Sequence, residues 1–361
     1  MKLTQTVFWG LCSLANLPMF AAELHIVPVK EWFFTSWNHQ ENVDSPAVWN
    51  SEEGKRLLVS TAKSSHSLLV EDPENGHFIT RIGGRGTALG QFDRPNGISI
   101  VADLCFVVER DNHRVQMLLL PDFRPLATFG EEDLVQPYGI NVVGDAEGRY
   151  TVFVTDNREV EDSGIQDADE LSGDETVPDE LLSQRVRVYQ VEVEGEHVAT
   201  IDIELENTFG DLSTLGKLSI VESIYADPQN DRLLIADESM DTPGHNVKIY
   251  SMNGSFSGQT IGDGIYEGQA EGIALVPGAA ADDGYWVLTD QGKRNNYFHV
   301  FDRKTLAYVG SFRGETTLNT DGCWFDATPT SRFPNGAFYA VHNDGCVAAF
   351  SWHEIEEALG L

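Results

Sequence analysis

Short strand-like runs return along this chain at intervals of roughly 40–50 residues, and a repeat of that length admits few folds. The first unit runs from Asp44 to Trp49, through Leu57–Ser60 and Ser67–Val70, to Phe78 and Ile79. The second contains Pro95–Ile98, Cys105–Val108, Asn112–Gln116 and Phe129. A third opens at Pro137–Ile140, continues through Tyr150–Thr155 and resumes at Val186–Val191. The fourth spans Glu222–Tyr225, Leu233–Ala236 and Val247–Tyr250. The fifth holds Glu271–Val276, Tyr285–Leu288 and Tyr297–Phe301, and the sixth Thr320–Cys323, Gly336–Val341 and Cys346–Phe350. Period-two alternation gives these runs a core face, and helix-period stripes are nearly absent. One such unit cannot bury both its faces alone, so neighbours must stack. Six units predict an all-β chain folded as a six-bladed β-propeller.

The termini and one interruption frame this repeat. Lys2, the apolar run from Val7 to Phe20 and Ala21-Ala22 read as a secretory signal over residues 1–22. That run is too short and too interrupted to span a membrane. Residues 23–361 then form the propeller. Upstream of Asp44, either Leu24–Val29 or Trp32–Phe34 is placed to add a strand to the last blade and close the ring. Residues 159–183 are dense in Asp and Glu, lack an apolar period and read as a solvated insertion loop. Ser351 and Glu354 suggest a capping box for a short C-terminal helix.

With 57 acidic against 24 basic side chains, the net charge is −33. That excess argues against nucleic acid or an anionic membrane as a partner. It suits a periplasmic or secreted monomer, or one that collects cations. Cys105, Cys323 and Cys346 remain after the signal, and their number leaves open a Cys323–Cys346 bridge or buried free thiols.

In a propeller, the turn leading into each inner strand lies near the axis. Asp44, Asn96, Tyr138, Glu222, Glu271 and Asp321 occupy that position here. The turn after the second strand adds Lys63, Arg110, Arg158, Glu238 and Gln291. Converging carboxylates repel one another unless a cation joins them. Oxygen donors alone select a hard ion, Ca²⁺ before Zn²⁺.

Two resemblances extend this reading. The second unit, with Gly90-Gln91-Phe92, Pro95-Asn96-Gly97-Ile98 and Asn112-His113-Arg114-Val115, resembles the NHL-type repeat. The stretch from Glu222 onward resembles the β-propeller phytases, on Glu271-Gly272-Ile273, Gly284-Tyr285, Gln291-Gly292 and Tyr297–Arg303. That resemblance implies calcium held by Asp44, Glu222, Glu238, Glu271, Gln291 and Asp321. It further implies phosphate held by Lys63, Arg110, Tyr138 and Arg158, with Glu238 also at the reacting centre. The implied activity is calcium-dependent hydrolysis of phytate or another inositol phosphate. The chain departs from the phytase pattern at Ser45, Ser223 and Gln269, and the first and last of these remove carboxylates. Two other functions fit the same frame: a non-enzymatic NHL-type binding propeller, and a calcium-dependent lactonase or esterase.

Overall fold

The computed structural model describes residues 24–145, 147–157, 178–195, 198–240 and 246–361. The expected signal, Arg158 and most of the acidic insertion lie outside them. Its end does not: Asp179–Leu182 forms a helical turn, α1, whose Leu182 is buried.

Six sheets are present, as the repeat predicts. Blade one is β3 (Val43–Asn50), β4 (Arg56–Ala62), β5 (Ser67–Glu71) and β6 (Phe78–Gly83). Blade two is β7 (Pro95–Val101), β8 (Leu104–Glu109), β9 (Arg114–Leu119) and β10 (Arg124–Phe129). Blade three is β11 (Pro137–Gly144), β12 (Arg149–Asp156), β13 (Val186–Glu194) and β14 (Thr200–Phe209). Blade four is β15 (Val221–Asp227), β16 (Arg232–Asp237), β17 (Asn246–Tyr250) and β18 (Phe256–Ile261). Blade five is β19 (Gln269–Pro277), β20 (Gly284–Gln291), β21 (Tyr297–Asp302) and β22 (Tyr308–Gly314). Blade six has β23 (Cys323–Asp326), β24 (Ala337–His342) and β25 (Cys346–Ser351). Within each blade these strands run antiparallel in chain order.

Both N-terminal runs are used, on different blades. β2 (Phe33–Phe34) pairs with β25 and supplies the fourth strand of blade six. β1 (Ile26–Val29) pairs in parallel with β22 and gives blade five a fifth strand. The chain thereby joins its start to its last two blades and covers their sheet edges. The C-terminal helix α2 (Trp352–Leu359) buries Trp352 and Ile355 in the core shared by blades five and six. Ser351 caps it without a side-chain bond. Glu354 instead accepts a 2.8 Å bond from the Trp32 indole, so the expected capping box does not form.

A repeated polar clip aligns the inner strands. In blades two to five the second strand contains Glu109, Asp156, Asp237 or Asp290, all buried. Each accepts backbone N–H bonds from the turn that leads into its own blade, for example Ser219 N to Asp237 at 2.9 Å and Gly268 N to Asp290 at 2.7 Å. A basic side chain on the third strand faces each one: Arg114, Arg187, Lys248 and His299. These carboxylates are structural, and losing one partner would strand a buried charge.

The thiols settle as free and buried. Cys323 begins β23 and Cys346 begins β25, with β24 between them. Two strand spacings, about 9–10 Å, exceed the reach of a disulfide.

Two predictions follow from these contacts. A chain starting at Asp44 lacks β1 and β2 and bares the edges of β22 and β25. It should be insoluble or melt well below the intact chain, as read by calorimetry; equal melting would refute the closure. The second concerns Glu71, which is 2% exposed and has one carboxylate oxygen without a partner. Burial, then the charge of Glu41, pushes its carboxyl up to about 8. Its folded pKa exceeds its unfolded value, so the folded state holds the extra proton. The resulting stability is complete below the ordinary carboxyl range and is lost as the pH rises through about 8. Glu71→Gln should therefore melt higher than the parent at mildly alkaline pH, and the gain should shrink in acid.

Candidate cation site on the propeller axis

The inner strands build the site through one repeated irregularity. β3, β7, β11, β15 and β19 each slip register near their start, between Val43 and Pro46, Pro95 and Ile98, Pro137 and Ile140, Val221 and Ile224, and Ala270 and Ile273. The residues carried out of register are Asp44, Asn96, Tyr138, Glu222 and Glu271. A bulge re-aims such a side chain away from the ordinary pleat. In blade six, Asp321 stands at the same place, two residues before β23.

Threonines on the second strands tie these bulges across blades. Thr61 Oγ1 donates to the Asn96 carbonyl at 2.5 Å, and Thr155 Oγ1 donates to the Glu222 carbonyl at 2.8 Å. The ring order Asp44, Asn96, Tyr138, Glu222, Glu271, Asp321 is thus built into the backbone.

The residue after each second strand forms a neighbouring tier. Lys63 N donates to Asn42 O, Arg110 N to Arg94 O, Asn157 N to Gln136 O and Glu238 N to Ile220 O. This register puts Asn157 at the third-blade position, and the expected Arg158 lies outside the described residues. Asn157 is fully buried, and both polar atoms of its side chain are without a hydrogen-bond partner. Asn96 shows the same buried, unpartnered amide. Leaving such a group unsatisfied costs about 1–3 kcal/mol, and neither amide lines the axial cavity.

Asp44, Lys63, Tyr138, Glu222, Glu238, Glu271, Gln291 and Asp321 all line one axial cavity of about 280 Å³. Arg110 is not in its wall; it hydrogen-bonds Tyr138, which is. Lys293, which the sequence sets in the same turn as Gln291, lines this cavity too, as do Asn42, Arg94, Gln269, Asn319 and Asp344. A signal for four of them was present. Asn42, Arg94, Gln269 and Asn319 each stand two residues before a ring residue.

Charge is divided within the cavity. Carboxylate oxygens of Glu222, Glu238 and Glu271 lie within 4.8 Å of one another. Burial, then the charges of Glu238, Glu222 and Asp321, drives the Glu271 carboxyl well above the usual range. Gln269 Nε2 donates to Glu238 at 2.7 Å, and Gln291 Nε2 donates to Asp321. The amide at position 269 thus restrains a ring acid where the phytase pattern has another carboxylate. Lys63 Nζ lies 2.8 Å from Asp44 and 3.6 Å from Asp321. Burial by itself would lower its ammonium, yet those two carboxylates hold it well above its ordinary value. Ser45 Oγ donates to the other Asp44 oxygen at 2.8 Å. Tyr138 is raised by burial and by Glu222, so its hydroxyl keeps its proton at neutral pH.

Three crowded carboxylates with hard oxygen donors and neutral amides nearby suit a divalent ion of the calcium type. Among the described residues, no helix is long and apolar enough to cross a membrane.

No protein-family model matches the chain, and no curated protein sequence matches it. The chain is similar to solved structures of otherwise different proteins. The calcium-binding protein regucalcin of Agrobacterium tumefaciens is 11% identical, with a TM-score of 0.50 over 91% of this chain and 95% of that one. Hydrazine synthase of Kuenenia stuttgartiensis is 12% identical, with a TM-score of 0.47 over 92% and 98%. The Cps50 (Swd1) β-propeller domain of Myceliophteria thermophila is 10% identical, at 0.47 over 85% and 96%. At these identities the likeness shows fold alone. Fold and cavity together define a six-bladed β-propeller with a carboxylate-rich axial site.

Glu271→Gln removes one of the crowded charges while keeping the side-chain volume. It should weaken calcium binding, read by titration calorimetry, by at least about tenfold, the scale of a lost charge-assisted contact. Its melting temperature without calcium should equal or exceed that of the parent. Unchanged affinity would remove Glu271 from the site.

Proposed function

We propose that this protein is a calcium-dependent phosphomonoesterase acting on inositol phosphates, phytate included. The Glu222–Glu238–Glu271 cluster carries this reading: it offers a divalent ion three carboxylates in a cavity that also holds Lys63, Arg94 and Lys293. A bound ion there would neutralise phosphate oxygens and lower the pKa of a coordinated water.

The chain's own residues do the rest. Glu222, Glu238 and Glu271 would hold the ion. Asp321, restrained by Gln291, and Asp44, restrained by Ser45 and Lys63, border it. Arg94 and Lys293 line the same wall and give a phosphate dianion its countercharge. Tyr138, kept protonated and backed by Arg110, supplies a hydroxyl donor. Lys63 differs from the resemblance's implication. It already pairs with Asp44 and Asp321, so its part is to fix those carboxylates until substrate or ion redistributes the charge.

Hydrolysis of a lactone or ester is the second reading. It is favoured by the compactness of the site: among the described residues, Glu222, Glu238 and Glu271 form the one acidic group close enough to share an ion. A single ion suffices to polarise a carbonyl, whereas the phytase resemblance implies several.

Phosphate release from phytate at neutral pH, with calcium and with a chelator, separates these readings. Calcium-dependent release that Asp44→Ala and Glu271→Ala abolish is the expected result. Turnover of a lactone or aryl ester without phosphate release would transfer the assignment to the second reading. Calcium binding with neither activity would leave a binding propeller.

A further inference from the structure

An open groove of about 470 Å³ adjoins the axial cavity and is lined by Trp37, His39, Lys293, Asn319, Asn343 and Asp344. Lys293, Asn319 and Asp344 belong to both walls, so the two spaces are contiguous. Trp37 is 55% exposed, yet it is held firmly. Its indole lies against Gly345, where an added Cβ would sit 2.6 Å from the ring. The His342 ring lies 5.3 Å away, and His39 is stacked nearly parallel at 6.4 Å. On either side, Thr35 N bonds Val347 O and Asn38 N bonds Gly345 O, both at 2.9 Å. Asn38 then caps the turn that carries His39 by accepting from Gln40 N at 3.1 Å.

The polar wall is equally fixed. Asn319, Asn343 and Asp344 all have left-handed backbone, at φ 48°, 46° and 54°. Asn343 and Asp344 are the central pair of the tight turn joining β24 to β25, closed by Gly345 N donating to His342 O at 3.0 Å, and Asn and Asp tolerate that geometry. Asn319 Nδ2 donates to Asp344 Oδ1 at 3.1 Å, which orients both side chains. The groove therefore pairs one rigid aromatic surface with closely set amide, carboxylate, imidazole and ammonium groups.

We infer that this groove is a subsite for a polyhydroxy six-membered ring, a hexopyranose or cyclitol, esterified at the group that enters the axial cavity. The C–H face of such a ring covers the indole, and its hydroxyls meet Asn319, Asn343, Asp344 and His39. A wholly apolar ring would cover Trp37 but strip water from those polar groups without replacing it. The three shared lining residues place the ring directly beside the axial cavity, and a nucleotide base on Trp37 is the competing occupant that the test includes. A ring phosphorylated at every carbon offers few free hydroxyls and brings anions against Asp344. The groove thus selects monophosphates and other lower esters over phytate itself. The inference rests on the phosphomonoesterase reading for its reaction and on Trp37 for its specificity.

The test measures kcat/KM for a hexose monophosphate, glycerol phosphate and a 5′-nucleoside monophosphate with the full chain and calcium. Parallel saturation-transfer NMR follows hexose monophosphate binding. Trp37→Ala should lower the hexose-to-glycerol selectivity about tenfold through KM, as expected for one lost aromatic platform, and Trp37→Phe should restore most of it. Asn343→Ala provides an independent variant that leaves the indole in place, and it should lower the same ratio. Unchanged selectivity in Trp37→Ala and Asn343→Ala overturns the subsite. So does a selectivity loss confined to the nucleotide. Trp37-dependent binding of the hexose monophosphate without phosphate release refutes the phosphomonoesterase reading and upholds the groove. Release without Trp37 dependence does the reverse.

Discussion

Around the axis, the inner strands of neighbouring blades pass so closely that hardly any side chain fits between them. A Cβ on Gly139 would sit 2.4 Å from the Glu222 carbonyl, and one on Gly322 would sit 2.6 Å from the Asp44 carbonyl. The rest of the structure depends on this crowding. It requires a small residue after each ring position, and Ser45, Gly97, Gly139, Ser223, Gly272 and Gly322 supply it. It also forces the inner strands to bulge at the residue before, which turns that side chain into the axial space. Packing the ring and forming the site are therefore one event.

The same crowding explains how so much charge is tolerated. Around the cavity, the acids are held by neighbours: Asp44 by Lys63 and Ser45, Glu238 by Gln269, Asp321 by Gln291. Glu271 is raised instead. Such a site is costly for the folded state when no ligand is present, and a divalent ion offsets that cost by mass action. Gln269 and Ser45 add hydrogen bonds to Glu238 and Asp44 beside the compact Glu222–Glu238–Glu271 cluster.

The blade frame was largely legible because inner and middle strands bury both faces or alternate cleanly. β4, β8 and β16 are buried nearly throughout and each holds a short apolar run, and the spacing of those runs gave the repeat. The outer strands were harder to read. Neither β14 nor β18 was anticipated: β18 is mostly solvated and carries little apolar period, while β14 alternates Ile201, Ile203 and Leu205 with acidic residues beyond an acidic stretch that separates it from blade three's start. The N-terminal strands were foreseen as closing elements. Their division between blades five and six depended on which sheet edges lay open.

The sequence by itself determined the number of blades, their order and the ring of residues at the inner-strand starts, because period-two alternation and a fixed repeat length are local properties. It did not determine which member of an adjacent pair would serve the fold and which the cavity. Asp237 and Glu238 are neighbours, yet Asp237 clips the backbone N–H groups of Ser219, Ile220 and Ser239 and pairs with Lys248, while Glu238 joins the axial cluster. Asn157 fills the corresponding place in blade three, next to the buried Asp156 that clips the backbone there. Successive side chains on a strand point to opposite sides, and only the assembled ring decides which side is the axis. Trp37 makes the same point: its exposure beside Asn343 and Asp344 exists only once β2 has closed blade six.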